Sequence, residues 1–413
     1  MNATSAPIPR TRRRWTKFSL RSLFIFITLV AIVTGWVTNE RAQSRRELEI
    51  AQQLSADGAT IELRGPFDDL SQTPINQSKW RVLLGTILGP VVHRVKLKDT
   101  RTLVAGLFAA LSGRNDRKQA DLTPLAHLRA LRHLNLDYNE VRDLRPLAGL
   151  KNLQSLNLEG SQVRDLTPLA GLDNLQDLQL WGTQVSDLTP LARLKKLRCL
   201  CVSGRQLSDV KPLAELENLT QLLLNQTDVS DIAPLSNLKK LQFLRLDGTR
   251  VRDLTPLAKL KSLELLYLHN TPVISLTPLA GLTNLKTLML DSVQVKDLTP
   301  LAELSSLEML GLTGTPISDL APLAGLENLQ ELQLWRTPVS DLTPLARLNK
   351  LRRLCVSGRH LRDVTPRAGF NILTTLDFFK TPIASRTSPL TNEQIEKLRQ
   401  ALPNCEIVIG AGR

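Results

Sequence analysis

A fixed interval of 22 residues governs most of the sequence. From residue 121 to residue 384 the chain can be cut every 22 residues without an insertion or deletion, which gives twelve units. The unit at 165–186 reads DLTPLAGLDNLQDLQLWGTQVS, and the unit at 297–318 reads DLTPLAELSSLEMLGLTGTPIS. A mixed globular core does not impose one period over so long a stretch. The repetition therefore predicts a solenoid in which each unit packs only against its neighbours.

Each unit contains two successive patterns of apolar residues. Leu178 and Leu180 alternate with polar residues, as in a strand that buries one face. The segment at 165–172, DLTPLAGL, has the apolar spacing of a short helical turn, and Asp165 can cap it by accepting a backbone N–H. We therefore predict an α/β solenoid with a parallel β-sheet on one side and short helical or 3-10 turns on the other.

The pattern LxxLxLxxTxVxDLTPLAxL resembles the bacterial 22-residue class of leucine-rich repeat, the internalin-like kind. The resemblance implies a horseshoe with the sheet on its concave face and the turns on its convex face. Many members of that class carry Asn where this chain mostly carries Thr, and a hydroxyl satisfies fewer backbone groups than an amide. Arg205, Val293 and Arg359 depart from both residue types, which predicts local bends or frayed turns there.

The N-terminal segment predicts a membrane anchor. Six basic residues between positions 10 and 21 precede an apolar run at 23–37, with Trp15 and Trp36 where interfacial aromatics are expected. A cleaved signal peptide is the alternative, but the residues after the run contain no convincing small-x-small cleavage site. Because the positive charge is greater before the span, we expect a single-pass cell-membrane protein with a cytoplasmic N-terminus. The repeats would lie on the outer side, periplasmic or extracellular.

The composition of the remaining segments completes the predicted organisation. The segment at 91–100 repeats the leucine spacing in degenerate form, and LPNCEIVI at 402–409 reads as a closing strand. The predicted parts are a basic cytoplasmic tail (1–17), a transmembrane signal anchor (18–38), a membrane-proximal helix or stalk (39–83), an N-terminal cap with a degenerate repeat (84–120), twelve leucine-rich repeats (121–384) and a C-terminal cap (385–413).

The net charge of +14 has the sign of a nucleic-acid-binding protein, but its distribution argues against that function. Residues 1–120 contain 19 lysines and arginines against 9 aspartates and glutamates, so most of the excess lies in the N-terminal part. Phosphate binding would require a concentrated basic face on the repeats. We therefore predict no nucleic-acid partner, and we relate the charge to membrane topology.

The four cysteines predict neither disulfides nor a metal site. The stretch LCVSGR occurs twice, seven repeat lengths apart, so Cys355 takes the position of Cys201. These two are too distant for a disulfide, Cys199 and Cys201 are neighbours in an awkward geometry, and Cys405 takes a core position in the C-terminal cap. A metal would need more ligands than the thiols supply. We expect free thiols, no metal and no cofactor, and we interpret LCVSGR as the imprint of a copied block.

The outward strand residues predict a binding surface for a protein or peptide. They are polar in the early units, become apolar in the middle units and turn polar again after them. Apolar side chains have little reason to collect on a solvated face unless a partner covers them, although neighbouring side chains could also hide one another. The predicted protein-binding residues are Trp181, Leu223, Phe243, Leu265, Tyr267, Met289, Met309 and Trp335.

One row of residues could in principle support catalysis. Asp247, His269 and Asp291 follow the strand leucines in consecutive units and could tune a base. No nucleophile, glycine-rich phosphate loop or metal cluster accompanies them, so charge compensation along a ladder explains the row more simply. We predict a membrane-anchored, non-enzymatic interaction protein. The alternatives are an architectural envelope protein without a discrete partner, or a hydrolase that uses this row.

Overall fold

The computed structural model describes residues 122–357 and 373–378 in full. Near the C-terminus it also describes residues 396, 398–400 and 402–408, and it gives the backbone of residues 60–64 and 91–96. The chain forms two compact units. The first comprises residues 1–50 and 63–91, of which only 63–64 and 91 are described, and the second comprises residues 51–62 and 92–413. All of the described repeats belong to the second unit.

Fifteen short strands occur in the described residues, and from β2 to β15 they are hydrogen-bonded in chain order as one parallel sheet. From β3 to β14 each strand pairs with the residues 22 positions further along, as in Leu244↔Leu266 and Leu266↔Leu288. The strand spacing thus equals the predicted repeat length. The strands are β1 (Thr60–Arg64), β2 (Val91–Lys96), β3 (His133–Asn135), β4 (Ser155–Asn157), β5 (Asp177–Leu180), β6 (Cys199–Val202), β7 (Gln221–Leu223), β8 (Phe243–Arg245), β9 (Leu265–Tyr267), β10 (Thr287–Met289), β11 (Met309–Gly311), β12 (Glu331–Leu334), β13 (Arg353–Val356), β14 (Thr375–Asp377) and β15 (Glu406–Val408).

A 3-10 turn precedes each strand from β3 to β13, and a proline stands in its first turn, where a missing N–H costs little. The predicted cap is confirmed, because Asp165 Oδ1 accepts the backbone N–H of Thr167 at 2.8 Å. The turns are Thr123–His127, Arg145–Leu147, Thr167–Leu169, Thr189–Leu191, Lys211–Leu213, Ala233–Asn237, Thr255–Lys259, Thr277–Leu279, Thr299–Leu301, Ala321–Leu323 and Thr343–Arg347.

The core is a stack of leucines enclosed between the sheet and the turns. Leu244, Leu266 and Leu288, at the centres of successive strands, are 0% exposed. In six of the described repeats a threonine follows the strand and its predicted role is confirmed, since Thr249 Oγ1 donates to the carbonyl of Leu246 at 2.7 Å. A hydroxyl thus satisfies one carbonyl within its own repeat. The same bond forms at Thr183, Thr227, Thr271, Thr315 and Thr337.

Arg205, Val293 and Arg359, where bends or frayed turns were predicted, behave differently from one another. Val293 is fully buried and its N–H donates to the carbonyl of Leu290 at 3.1 Å, so the predicted bend at this position is wrong. A methyl-bearing side chain fills the same space as threonine without needing an acceptor. Before Arg205 the turn does change, because Gly204 has φ +119° whereas four other turn glycines lie between +66° and +72°. Arg359 lies outside the described residues.

The segments that flank the repeats are described only in part. The predicted strand at 91–96 is present and aligns Val95 with Leu134, and the predicted closing strand aligns Ile407 with Leu376. The predicted span at 18–38 lies outside the described residues. Within the part of the chain that is described, no helix combines the length and the apolar composition needed to cross a membrane.

Candidate binding face

The candidate site is the sheet face, which we define as the side of strands β3–β14 that points away from the leucine core. Each of these strands contributes its first and third residues to this face, because alternate residues of a strand point to opposite sides. Parallel pairing in a 22-residue register aligns these residues into two columns, and the residue after the strand leucines adds a third. All eight predicted binding residues lie on these columns.

We call six of these residues, those on β7 to β11, the apolar cluster: Leu223, Phe243, Leu265, Tyr267, Met289 and Met309. The register places Phe243 beside Leu265, and Tyr267 beside Met289. Two residues outside the predicted set interrupt the cluster, because Arg245 separates Leu223 from Tyr267, and Thr287 separates Leu265 from Met309. The structure therefore brings the middle of the predicted set together and sets Leu223 and Met309 at its edges.

Two residues of the apolar cluster are less exposed than predicted. Leu223 and Met289 are each only 8% exposed. Met289 is covered because it lies over Gly311, where an added Cβ would stand 2.5 Å from its Sδ. The absence of a side chain at Gly311 thus provides the space that buries Met289. Leu223 and Met289 form the floor of the apolar cluster, so the expectation that their side chains are exposed is wrong.

Phe243, Leu265, Tyr267 and Met309 are half-buried and keep part of their apolar surface accessible. The rings of Phe243 and Tyr267 pack at a centroid distance of 5.4 Å and an angle of 52°. The guanidinium carbon of Arg245 lies 5.2 Å from the centre of the Tyr267 ring, a cation–π contact. These contacts hold the aromatic side chains in place, so the two rings have little conformational entropy left to lose on being covered.

The two predicted tryptophans border the apolar cluster without joining it. Trp181 follows β5, so β6 and β7 lie between it and Phe243. Trp335 follows β12, the strand next to the one that carries Met309. Both indoles are half-buried. Trp181 and Trp335 thus lie near the two places on the sheet face where the outward residues change between polar and apolar.

The predicted row of Asp247, His269 and Asp291 forms as expected. His269 Nδ1 lies 2.9 Å from Asp291 Oδ2, and His269 Nε2 lies 4.0 Å from Asp247 Oδ1. Each carboxylate also accepts a backbone N–H from the following repeat, that of His269 at 3.0 Å and that of Thr313 at 2.9 Å. Arg245 binds the second oxygen of Asp247. The carboxylates therefore join neighbouring repeats, which is the ladder role that the sequence analysis preferred.

The electrostatics of this row favour a charged imidazole. Burial lowers the pKa of His269, but the hydrogen bond to Asp291 and the negative charges of both aspartates outweigh it, so the pKa is raised above 6.5. An imidazolium between two carboxylates is a stable charge pattern, and in this protonated form neither ring nitrogen is free to accept a proton as a general base. In the same column the flanking residues are Asn225 and Thr313, and neither carries an activated nucleophile.

The far border of the face is polar. Glu331 is only 9% exposed, accepts a hydrogen bond from Gln333 Nε2 at 2.7 Å and lies 3.4 Å from Arg353 Nη1. Arg245 and Asp247 lie on β8 and just after it, so charged groups stand both within the span of the apolar cluster and at this far border. A polar border next to an apolar centre is common in protein interfaces.

The described cysteines are free thiols. Cys199 and Cys201 share the sheet face with their Sγ atoms 3.9 Å apart. The hydrogen bond from Cys201 is the main reason why the pKa of Cys199 is lowered. Burial raises the pKa of Cys355 to about 12. Within the described residues, no group of three or more His, Cys, Asp or Glu side chains could hold a metal ion.

Comparison with known proteins identifies the repeats. Residues 129–171 match the leucine-rich repeat family in two copies. The internalin inlF of Listeria monocytogenes is similar in structure, with 29% sequence identity, a TM-score of 0.61 and coverage of 74% of this chain and 87% of that one. A leucine-rich-repeat protein of Leptospira interrogans has 24% identity, a TM-score of 0.58 and coverage of 71% and 82% respectively. No curated protein matches the chain significantly.

Proposed function

We propose that this leucine-rich-repeat solenoid, similar in fold to the internalins, binds a protein or peptide through its sheet face. The observation that carries the proposal is the apolar cluster, in which four half-buried apolar side chains stand over a buried floor next to charged groups. Solenoid repeats commonly use such extended sheet surfaces for binding. We further propose that the repeats belong to the 22-residue internalin-like class and that their concave face is the binding face.

The energetics favour a partner of protein character. An aromatic pair fixed by packing offers apolar area with little conformational entropy left to lose, and residues of this type dominate interface energies. The charged groups in and beside the apolar cluster already have partners, as Asp247 has in Arg245 and Glu331 in Gln333. They can align a ligand and exclude water without being left unpaired in the complex. The same features give no reason to expect a reacting small molecule.

We also propose that the chain is a single-pass membrane protein with its repeats on the outer side. Support comes from the sequence, in which basic residues and Trp15 precede an apolar run at 23–37 and Trp36 lies near the end of that run. Mass spectrometry of the mature protein from its native membrane tests this, because retention of residues 1–39 is expected. Loss of these residues from the mature protein would instead indicate a cleaved signal peptide.

The binding proposal is tested with full-length protein extracted in detergent from its native membrane. The test variant carries Phe243→Ser, Tyr267→Ser and Met309→Ser, which remove exposed apolar surface and leave the buried floor intact. The matched control is Ile274→Ser, because Ile274 is 74% exposed and lies outside the sheet face. We expect the wild type and the control to retain the same partner in quantitative affinity purification, and the triple variant to lose it.

Two other outcomes would overturn this proposal. If the wild type retains no partner above the background of an unrelated membrane protein, the architectural alternative is favoured. If the triple variant folds, as judged by circular dichroism, and still retains the partner, binding occurs elsewhere on the chain. A hydrolase that uses the row of Asp247, His269 and Asp291 would instead require His269. If His269→Asn retains the partner as the wild type does but turns over an ester or amide substrate at a different rate, the hydrolase alternative is favoured.

A further inference from the structure

Two thiols stand side by side on the sheet face, outside the apolar cluster. Cys199 and Cys201 are the first and third residues of β6, and their Sγ atoms are 3.9 Å apart. Neither sulfur is part of a disulfide. Since the register aligns Cys201 with Leu223, the pair lies directly before the floor of the apolar cluster. This arrangement is not used by the proposed function.

The sulfur separation fits one metal ion held by both thiolates. Two sulfurs that each bind a metal at about 2.3 Å are about 4.6 Å apart in a linear two-coordinate site, so the sulfurs have to move apart by only about 0.7 Å from their separation of 3.9 Å. Small side-chain rotations are therefore enough to complete the site, with no change in the strand. In contrast, a disulfide between Cys199 and Cys201 would require the two sulfurs to approach to about 2.05 Å while both residues stay on one extended strand. That geometry is unfavourable for a disulfide.

The ligand set selects the kind of ion. Zinc in structural sites takes four ligands, and no third His, Cys, Asp or Glu converges with this pair among the described residues. Soft monovalent ions such as Cu(I) prefer thiolates and accept two of them as a complete ligand set. We propose that Cys199 and Cys201 together bind one soft monovalent metal ion of the Cu(I) class. This differs from the expectation of no metal, because a two-coordinate ion needs no further ligands.

The surroundings of the pair hold it in place and control access to it. Gln179 Nε2 lies 3.6 Å from Cys199 Sγ, and Gln221 Oε1 lies 3.7 Å from the same sulfur on the other side. These two amides come from the neighbouring strands and fix the position of the outer thiol. Cys199 is half-buried and open to solvent, whereas Cys201 is 4% exposed. An ion would enter at Cys199 and be shielded at Cys201.

The chain contains a natural single-thiol control. Cys355 occupies the same position in β13 that Cys201 occupies in β6, and both are aligned with a glutamine of the preceding strand, Gln333 or Gln179. Where β6 has Cys199, however, β13 has Arg353. The two places therefore share a buried thiol and differ in the second one. Any binding that requires two thiols should occur at β6 and not at β13.

The test is a Cu(I) titration of the reduced full-length protein in detergent, without oxygen, against a chromophoric Cu(I) chelator. We expect one tightly bound ion per wild-type chain. Cys199→Ser should weaken binding at least about 100-fold, because the second thiolate acts at high effective concentration. Cys355→Ser, the matched thiol removal, should leave the affinity unchanged. Arg353→Cys should create a second tight site, and this gain does not depend on the folding of a loss variant.

The contradicting results are equally definite. A wild type without a tight Cu(I) equivalent would overturn the proposal, as would equal weakening by Cys199→Ser and Cys355→Ser. If Arg353→Cys folds but adds no second equivalent, paired thiols on a strand of this sheet are not sufficient and the proposed geometry is wrong. Circular dichroism of each variant establishes that the repeats are intact.

Discussion

His269 Nδ1 and Asp291 Oδ2, which belong to successive repeats, lie 2.9 Å apart, and the imidazole also packs 6.0 Å from the centre of the Tyr267 ring. The contact therefore connects the charged column of the sheet face with the aromatic part of the apolar cluster. Because Asp291 also accepts the N–H of Thr313, the pair spans three repeats. Protonation of one side chain can thus affect how firmly this part of the face is held together.

Stability should fall as the pH rises through the titration of His269. The pKa of His269 is raised above 6.5 despite burial, because of the hydrogen bond to Asp291 and the charges of Asp247 and Asp291. A group with a raised pKa in the folded state contributes fully below its unfolded pKa and loses that contribution as pH rises through the folded value. The measurement is the melting temperature of the wild type and of His269→Asn from about pH 5.5 to about pH 9. The wild type should lose its advantage with rising pH, and parallel curves would contradict this.

Two adjacent leucines should respond very differently to truncation. Leu266 is 0% exposed in the core, whereas Leu265 is half-buried on the sheet face. Leu266→Ala should reduce the free energy of unfolding by about 2–5 kcal/mol, because it leaves a cavity. Leu265→Ala should cost about 1 kcal/mol or less and should weaken partner binding instead. Chemical denaturation of both variants measures the difference, and equal losses would mean that the assignment of faces is wrong.

The aspartate caps should make the repeats sensitive to acid. Asp187 Oδ1 accepts the N–H of Thr189 at 2.8 Å, and hydrogen bonds from the side chain and the backbone of Thr189 lower the pKa of the carboxyl below 3.8. A lowered pKa contributes stability above the unfolded value that is lost as pH falls through the folded value. Because the carboxylate is exposed, Asp187→Ala should cost only about 0.5–1 kcal/mol at neutral pH.

The matched variant is Asp187→Asn, which keeps an acceptor and removes the titrating group. It should unfold with a shallower dependence on pH below about pH 4 than the wild type. Identical acid profiles for the two proteins would contradict the assigned role of the carboxylate.

Ser275 holds the capping position in another repeat. Its Oγ accepts the N–H of Thr277 at a longer distance of 3.3 Å, so Ser275→Asp should stabilise the chain slightly.

The turn that contains Gln226 has a backbone conformation that is unfavourable for a residue with a side chain. Gln226 has φ +58°, whereas the same position in several other repeats is a glycine, such as Gly248 at +66°. A residue with a Cβ is destabilised by about 1 kcal/mol in the left-handed region of backbone conformations. Gln226→Gly should therefore raise the free energy of unfolding by up to about 1 kcal/mol, and Gln226→Ala should not. If both changes have the same effect in denaturation, the side chain of Gln226 determines the stability of the turn.

Much of the fold could be predicted from the sequence because one physical requirement repeats. Each leucine of a strand must be covered by the next unit, which fixes the direction, register and spacing of β3 to β14. The cap by Asp165 could be predicted for a similar reason, since an unsatisfied N–H at the start of a turn needs an acceptor. The row of Asp247, His269 and Asp291 followed once the register was known.

Exposure on the sheet face could not be predicted, because it depends on the sizes of side chains in neighbouring repeats. Met289 is buried through the missing side chain of Gly311, and the only sequence signal was a glycine at an outward strand position. Arg245 interrupts the apolar cluster because the strand register places it between Leu223 and Tyr267 in one column. The distance between Cys199 and Cys201 depends on their rotamers, which the sequence pattern does not contain.

The most direct test of the binding face is site-specific photo-crosslinking in intact cells. A photoreactive phenylalanine analogue is placed at Phe243, in the apolar cluster, or at Ile274, which is exposed outside it. A discrete crosslinked product at position 243 that is absent at position 274 is the predicted result. Equal products at both positions, or no product at position 243 in correctly folded protein, would contradict recognition through the sheet face.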